Sequence, residues 1–483
     1  MTRSILYTLI MTSILLCGCE HTEMANDPSS SILTVEVLAE AFTSTEKNST
    51  RASEELYKTK FANGDQIGVT AIKDGKIVDG VNNVCFTYKA STMKWEASTE
   101  SASLYYYPDV TYLAYYPYDA AMNDKTSEEA IINAFTPQTD QSTYVNYTKS
   151  DLMTGTGVVS AINGKSVLTF QLTHGMSLLV IYPRGQHYQT SDGYDFYAPP
   201  KAITTLKVGN MTTVYQPGDC SYRAIVAPGT VDVTINYTTT EDAIFEYTGS
   251  VTTTTGKYNE MLLAPASPAL IYTITAGDYF FADGGLLPAT APLDKMNKKN
   301  CLGIVYHVGA GEGDSTNDYN GKLAAIHGYV LSVYCKDGDV TYGPYEDAGT
   351  SKSSSDYKGY YNTMKMIAAA ESHGGLSGVA TEAGGYPVAY YATIVCQSLY
   401  PAPVNTSGWY LPSAGQLREA YNNKSVIEAN FDKIVSGNTL FPWIRTSSES
   451  SDIRFAYVLD NGNLNSSYGK DASWYKAYSS LTF

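Results

Sequence analysis

From Ile32 to Leu38 the chain reads Ile-Leu-Thr-Val-Glu-Val-Leu, with apolar and polar positions in partial alternation, the period of a strand that buries one face. Short runs of the same kind follow at Gln66–Ile72, Val84–Tyr88, Tyr112–Tyr116, Ser166–Leu172 and Met176–Tyr182, divided by Gly, Asn, Asp and Pro turns. That spacing predicts a β-sandwich. A second sandwich fits 184–275, with strands at Ile203–Val208, Tyr222–Val226, Val231–Tyr237 and Leu270–Ile274. Helical periodicity arrives later, at Tyr361–Glu371 and after Pro412 through Tyr421, where Ser413 is placed to cap the helix. The stretch from Tyr475 to Phe483 reads as a closing strand.

Ahead of the first strand, Arg3 is followed by an apolar run from Ile5 to Leu16. It is too short to span a bilayer and has the length of a signal peptide's apolar region. The run ends Leu16-Cys17-Gly18-Cys19, which resembles the lipobox of bacterial lipoproteins, where small residues precede a Cys whose thiol takes diacylglycerol. On that reading 1–18 is a lipoprotein signal peptide and Cys19 is the lipidation site. The alternative is a plain secretory peptide with an incidental Cys. Two or more acyl chains would hold the protein on a membrane, since each buried CH₂ contributes about 0.8 kcal/mol. Between Thr43 and Glu55 there is almost no large apolar residue, which predicts an exposed, protease-accessible loop. It holds a single Arg bond, Arg51-Ala52.

A length of 483 residues allows about two to four domains. Lys+Arg 32 against Asp+Glu 48 gives a net charge of −16 with no basic block, so nothing attracts a phosphate backbone and nucleic acid is not an expected partner. The 42 Tyr residues are far more aromatic surface than a disordered chain carries, and together with many Thr and Val they favour strands. Beyond the signal, Cys85, Cys220, Cys301, Cys335 and Cys396 are odd in number, so at least one is unpaired within the chain. No C-x-x-C occurs and no Cys lies at ligand spacing from a His, which argues against a zinc site or a redox motif. Cys301 and Cys396 sit in apolar, strand-like runs and are read as buried thiols.

Three segments stand in order: Phe61-x-x-Gly64-Asp65-Gln66-Ile67-Gly68-Val69, then Tyr112-Leu113-Ala114-Tyr115-Tyr116-Pro117-Tyr118, then Asp151-Leu152-Met153 with Leu172-Thr173-His174-Gly175-Met176-Ser177. Together they resemble the fimbrillins and related pilus subunits of Bacteroides and Porphyromonas. At Leu172 the family more often has Phe. None of these residues points to catalysis; His174 is either a hydrogen-bonded structural residue or a ligand or base. After Thr275, Gly277-Asp278-Tyr279-Phe280-Phe281-Ala282-Asp283-Gly284, Cys301-Leu302-Gly303-Ile304-Val305-Tyr306 and Gly408-Trp409-Tyr410-Leu411-Pro412-Ser413-Ala414-Gly415-Gln416-Leu417 resemble C-type-lectin-like modules of Bacteroides surface proteins. The resemblance implies a mainly β chain: two tandem Ig-like/transthyretin-like β-sandwiches at 52–183 and 184–275, behind a lipidated pro-segment at 19–51, and an α+β C-type-lectin-like domain at 276–483.

Departures limit what carries over. Trp443-Ile444-Arg445-Thr446-Ser447-Ser448-Glu449 stands where the lectin-like modules have Trp-Ser-Ser-Thr-Glu, and the Glu-Pro-Asn or Gln-Pro-Asp signature of calcium-dependent lectins is missing from the sequence. Calcium-bridged sugar binding is therefore not carried over. The loop Gly309–Gly321 offers Glu312, Asp314, Asn317, Asp318 and Asn320 to a hard cation, yet their spacing fits no EF-hand, and the reading preferred over a metal site is a solvated acidic loop. Its Gly309-x-Gly311-x-Gly313 has no helix behind it to aim N–H groups at phosphate. No cofactor, resident metal or catalytic residue is expected.

The family likeness implies a fimbrium tip subunit: an outer membrane lipoprotein precursor, cut at Arg51-Ala52 so that its first strand leaves, and joined to other pilus subunits by donor-strand addition at the cell surface. The tip position follows from the lectin-like domain at the chain's end. That domain would bind an extracellular glycan or protein through Trp443, Arg445, Glu449 and Trp474, because rings stack on sugar faces and Arg makes forked bonds; Trp409 and Trp443 are also candidate core residues. The rival is an uncleaved, surface-anchored lipoprotein that captures glycan or host protein without polymerising. A formylglycine-generating enzyme shares the lectin-like fold but needs reactive cysteines that Cys335 and Cys396, isolated from each other, do not suggest.

Overall fold

The computed structural model describes residues 32–45, 57–78, 80–99, 103–162, 165–238, 242–265, 268–338, 340–379, 385–435 and 443–483. They form two compact units. The first takes the described residues up to Glu40, with Thr59–Phe135 and Met153–Thr173; the second takes Ala41–Lys58, Thr136–Leu152 and His174–Phe483.

In the first unit an eight-stranded sheet runs in the order Lys76–Ile77, Gln66–Lys73, Val84–Lys89, Lys94–Ala97, Thr34–Ala39, Lys165–His174, Met153–Ile162, Thr111–Tyr116. Gln66–Lys73 also pairs with Thr111–Tyr116, which closes the sheet into a barrel without free long edges. Closure explains why Gln66–Lys73 is buried at all six central positions instead of alternating. Gly68 lies opposite Tyr115, and a Cβ there would come within 2.3 Å of the Tyr115 ring and of Asn83 Oδ1. Only glycine fits that approach. The interior is filled by Leu33, Val35, Ile67, Val69, Phe86, Trp95, Tyr112, Met153, Leu168 and Phe170.

The second unit begins with two sheets face to face. One has the order Val214–Gln216, Ser221–Val226, Ser177–Pro183, Lys257–Leu263, Thr43–Ser44; the other has Met211–Thr212, Ala202–Val208, Gly229–Thr238, Ile244–Thr253. Leu179, Ile181, Ala224 and Val226 from the first meet Leu206, Val208, Val233 and Ile235 from the second in one core. Strand Ser177–Pro183, read from the sequence as the end of the preceding sandwich, pairs with Ser221–Val226 and Lys257–Leu263 and so belongs here. The run Leu270–Ile274 is a strand only at Leu270–Ile271, which joins His187–Gln189 and Asp195–Tyr197.

The remainder of that unit surrounds a five-stranded sheet, Leu286–Leu287, Tyr279–Phe281, Cys301–Val308, Gly328–Lys336 and Ala477–Thr482, beside a three-stranded one, Ile444–Glu449, Phe455–Asp460 and Asn463–Gly469. Helices Gly359–Glu371 and Ala414–Asn422 match the periodicity, and Ser413 and Gln416 complete a reciprocal capping box at the second. Lys295–Asn300 and Lys424–Ile434 add helices. Cys396 is buried and opens a helical turn, Cys396–Leu399, contrary to the strand reading, because the apolar run before it continues the helix from Pro387 through one π-helical stretch, Tyr391–Val395. All five cysteines of the described residues are free thiols.

Candidate functional site

Cys19, Arg51 and Ala52 lie outside the described residues. The strand between them does not. Thr34–Ala39 lies between two neighbours, in parallel register with Lys165–His174 from Thr34↔Val167 to Ala39↔Leu172, and antiparallel to Lys94–Ala97 through Val35↔Trp95. Leu33, Val35 and Ala39 face the barrel core while Thr34, Glu36 and Leu38 are exposed. A segment N-terminal to Arg51 therefore supplies an interior strand of the closed sheet.

The chain next enters the second unit, where Phe42 is buried and stacks on His174 with centroids 3.6 Å apart. His174 Nδ1 is 2.8 Å from Asp151 Oδ1, so this histidine is a hydrogen-bonded core residue. Thr43–Ser44 adds a short parallel strand to Lys257–Tyr258. Beyond 46–56, Ala41 bridges Lys58, and the Phe42 N–H donates to Tyr57 O at 3.3 Å. Tyr57 OH donates to Glu260 Oε1 at 2.8 Å, and the Arg223 guanidinium lies 4.8 Å from its ring centroid. Burial, followed by Tyr182 and Glu260, holds that phenol far above its ordinary value. Both flanks of the Arg51-Ala52 bond are thus tied to the same sheet.

Near the C-terminal end, the four residues singled out in the sequence separate into two pairs. Trp443 and Trp474 are 45% and 62% exposed, whereas Arg445 and Glu449 are 0% and 1% exposed. Arg445 and Glu449 are corrected from surface contacts to interior residues: strand Ile444–Glu449 is buried on both faces, so alternation turns neither side chain to solvent. Glu449 Oε1 accepts from Lys470 Nζ at 2.5 Å, and Glu449 Oε2 accepts from Thr350 Oγ1 at 2.9 Å. Arg445 Nη2 donates to the carbonyls of Gly469 and Ala472 at 2.6 and 2.7 Å, and its guanidinium lies 4.1 Å from the Tyr475 ring centroid. Burial pushes the Arg445 pKa down to about 10.

Trp443 and Trp474, with Tyr468 and Tyr475, line a cavity of about 360 Å³. Trp443 Nε1 donates to Asp460 Oδ1 at 2.5 Å, and Tyr468 OH donates to Asp460 Oδ2 at 3.1 Å. Asp460, Tyr468 and Tyr475 escaped the sequence reading because no local pattern marks them; the pairing of Phe455–Asp460 with Ile444–Glu449 and Asn463–Gly469 brings Asp460 and Tyr468 to Trp443. In the acidic loop, Asp314 Oδ2 accepts from Tyr319 OH at 2.5 Å and Tyr329 OH at 2.7 Å, and Asp318 pairs with Lys358 at 2.8 Å. Those oxygens are occupied by side chains, and no cluster of metal-ligating side chains occurs among the described residues.

Residues 50–284 match the family model described as fimbrillin-like. Over 461 aligned residues the chain is 27% identical to Fim1C of Bacteroides ovatus, which bears the name of a fimbrium tip subunit; the alignment covers 85% of this chain and 83% of that one. A crystal structure of a fimbrial protein from Bacteroides ovatus aligns with 95% of this chain and 100% of its own, at 21% identity and a TM-score of 0.41. Residues 50–284 are thus similar to a fimbrillin-like domain, in a chain whose relatives are named as fimbrial proteins.

Proposed function

We propose that this protein is the tip subunit and adhesin of a fimbrium. It is exported as a lipoprotein anchored through Cys19 to the outer membrane, cut at Arg51-Ala52, and joined to other pilus subunits at the cell surface by donor-strand addition. Its N-terminal barrel, found where the sequence suggested a sandwich, and the sandwich that follows serve assembly, and the C-type-lectin-like module at 276–483 binds a surface ligand. No step is enzymatic.

The observation that carries this reading is the position of Thr34–Ala39. Cutting after Arg51 would leave an interior strand of the barrel held by its pairing and packing alone, open to exchange. Removing it would leave Lys165–His174 and Lys94–Ala97 with unpaired N–H and C=O groups, along with the pockets of Leu33 and Val35. Unpaired edges of this kind recruit an extended segment, whose main chain restores the ladder while alternate side chains refill the pockets. Each refilled apolar pocket is worth about 1.5–3 kcal/mol. The tip position is supported by the alignment with Fim1C, which spans most of both chains.

The test is Arg51→Ala expressed in fimbriated cells. The proposal expects the variant to accumulate as the lipidated precursor and to be missing from isolated fimbriae. Incorporation of uncut Arg51→Ala at the normal level would refute processing-dependent assembly.

A further inference from the structure

The aromatic cavity beside the last sheet has the properties of a prepared binding site. Four rings and no aliphatic side chain line it. Trp443 holds φ at +21°, a backbone state that costs a bulky residue energy and persists where the surroundings enforce it. Here the surroundings are specific: Ile444 pairs with Leu459, which puts Trp443 beside Asp460, and Lys476 N–H donates to Trp443 O at 3.0 Å. Asp460 then fixes the Trp443 and Tyr468 rings with its two oxygens. An exposed indole in a strained backbone, braced by a carboxylate, costs stability without filling a core.

Charge narrows what such a site accepts. An aromatic cage for a quaternary ammonium needs ring faces free of other cations. Tyr475 already has the Arg445 guanidinium at 4.1 Å, and Arg445 Nε and Nη1 have no hydrogen-bond partner among the described residues. This buried cation opposes a second one. Asp460, at the side, opposes an anion, and so does the net charge of −16. What remains is a neutral, amphipathic ligand with a flat apolar face and polar edges. A volume of about 360 Å³ is at the small end of ligand sites, fitting a few rings and not a protein surface.

We infer that Trp443, Trp474 and Tyr468 form a stacking site for a neutral pyranose of a surface glycan. The C–H face of the sugar lies on the indoles while its hydroxyls stay at the solvent edge. Asp460 is a positioning residue that holds two of the rings. This inference rests on the reading of 276–483 as the ligand-binding module and gives that module its ligand class and its site.

The experiment titrates the full chain with methyl glucoside, methyl galactoside, N-acetylglucosamine and their oligomers, read by saturation-transfer NMR and tryptophan fluorescence. Sialyllactose and tetramethylammonium serve as charged comparators. The expected result is binding of a neutral saccharide, with saturation strongest on one ring face. Trp474→Ala should weaken it by on the order of tenfold or more at unchanged melting temperature, since the residue is exposed. Asp460→Asn should weaken it less and broaden the Trp443 indole N–H resonance. Preference for tetramethylammonium or sialyllactose would overturn the neutral-sugar assignment, and undiminished saccharide binding by Trp474→Ala together with Trp443→Ala would overturn the site. If no saccharide binds but the full chain still coats a target cell surface, the sugar inference fails and the module reading stands; if neither occurs, both fail.

Discussion

The Phe42 N–H and the Tyr57 carbonyl meet at 3.3 Å across the stretch that contains Arg51-Ala52. The described residues that flank the stretch are therefore held together, with Phe42 stacked on His174 on one side and Tyr57 bonded to Glu260 on the other. The severed N-terminal segment should stay bound by its strand pairing, so the purified full chain, nicked at Arg51, should elute as one species at neutral pH and lose the segment only in denaturant or to a competing strand peptide. Immediate loss on nicking, seen by gel filtration with mass spectrometry, would contradict this.

Phe42 should matter only while that segment is in place. Phe42→Ala is expected to cost the full chain about 3–5 kcal/mol in urea unfolding, the usual cost of emptying a phenyl site. Val35→Ala, at the Trp95 contact, should cost less because fewer atoms are removed. A chain produced from Ala52 onward lacks both residues, so the comparison of full and shortened chains assigns the effect to the segment.

The Glu449–Lys470 pair yields a different signature. With both side chains buried and 2.5 Å apart, Glu449→Ala leaves a buried ammonium without its carboxylate and is expected to cost about 3–5 kcal/mol. Glu449→Leu combined with Lys470→Met should recover much of that loss, since both charges are then gone. The effect should appear in unfolding midpoints and not in ligand affinity at temperatures where the variant is folded. A Glu449→Ala protein of unchanged stability would show that the pair contributes little.

Thiol ionisation gives a pH test. Burial pushes Cys301 and Cys396 up to about 12 from an ordinary 9.0. Their pKa values are raised in the fold, so the folded state holds these protons more tightly than the unfolded chain. The associated stability is complete below pH 9 and drains away as pH climbs toward 12. The urea midpoint should fall between pH 9 and 11, and iodoacetamide at pH 8 should label both thiols only on unfolding. Rapid labelling of either in the native state would contradict their burial.

The strands that alternate or carry branched residues were legible as sequence: Thr34–Ala39, Gln66–Lys73 and Gly229–Thr238 fall within a few residues of their predicted places. Met153–Ile162 and Ile244–Thr253 were missed, because Gly155 and Gly157 in the first and a run of Thr and Ser in the second hide the apolar period in strands that bury little over much of their length. Trp443 and Trp474 are singled out in the sequence by residue type alone, and both lie at the surface. Arg445 and Glu449 were misplaced because a charged side chain in a buried strand cannot be told from an exposed one until Lys470 and Tyr475 are brought beside it. The barrel closure, joining Gly68 to Tyr115, depends on a non-local pairing that no local pattern encodes.

The central claim is that the first strand is surrendered when the subunit enters the fimbrium. The most direct measurement is the N-terminus and binding partners, by mass spectrometry, of the form isolated from the cell surface. The account predicts a chain beginning at Ala52 that co-purifies with smaller fimbrillin-like subunits. A chain beginning at acylated Cys19 and isolated without partners would contradict it.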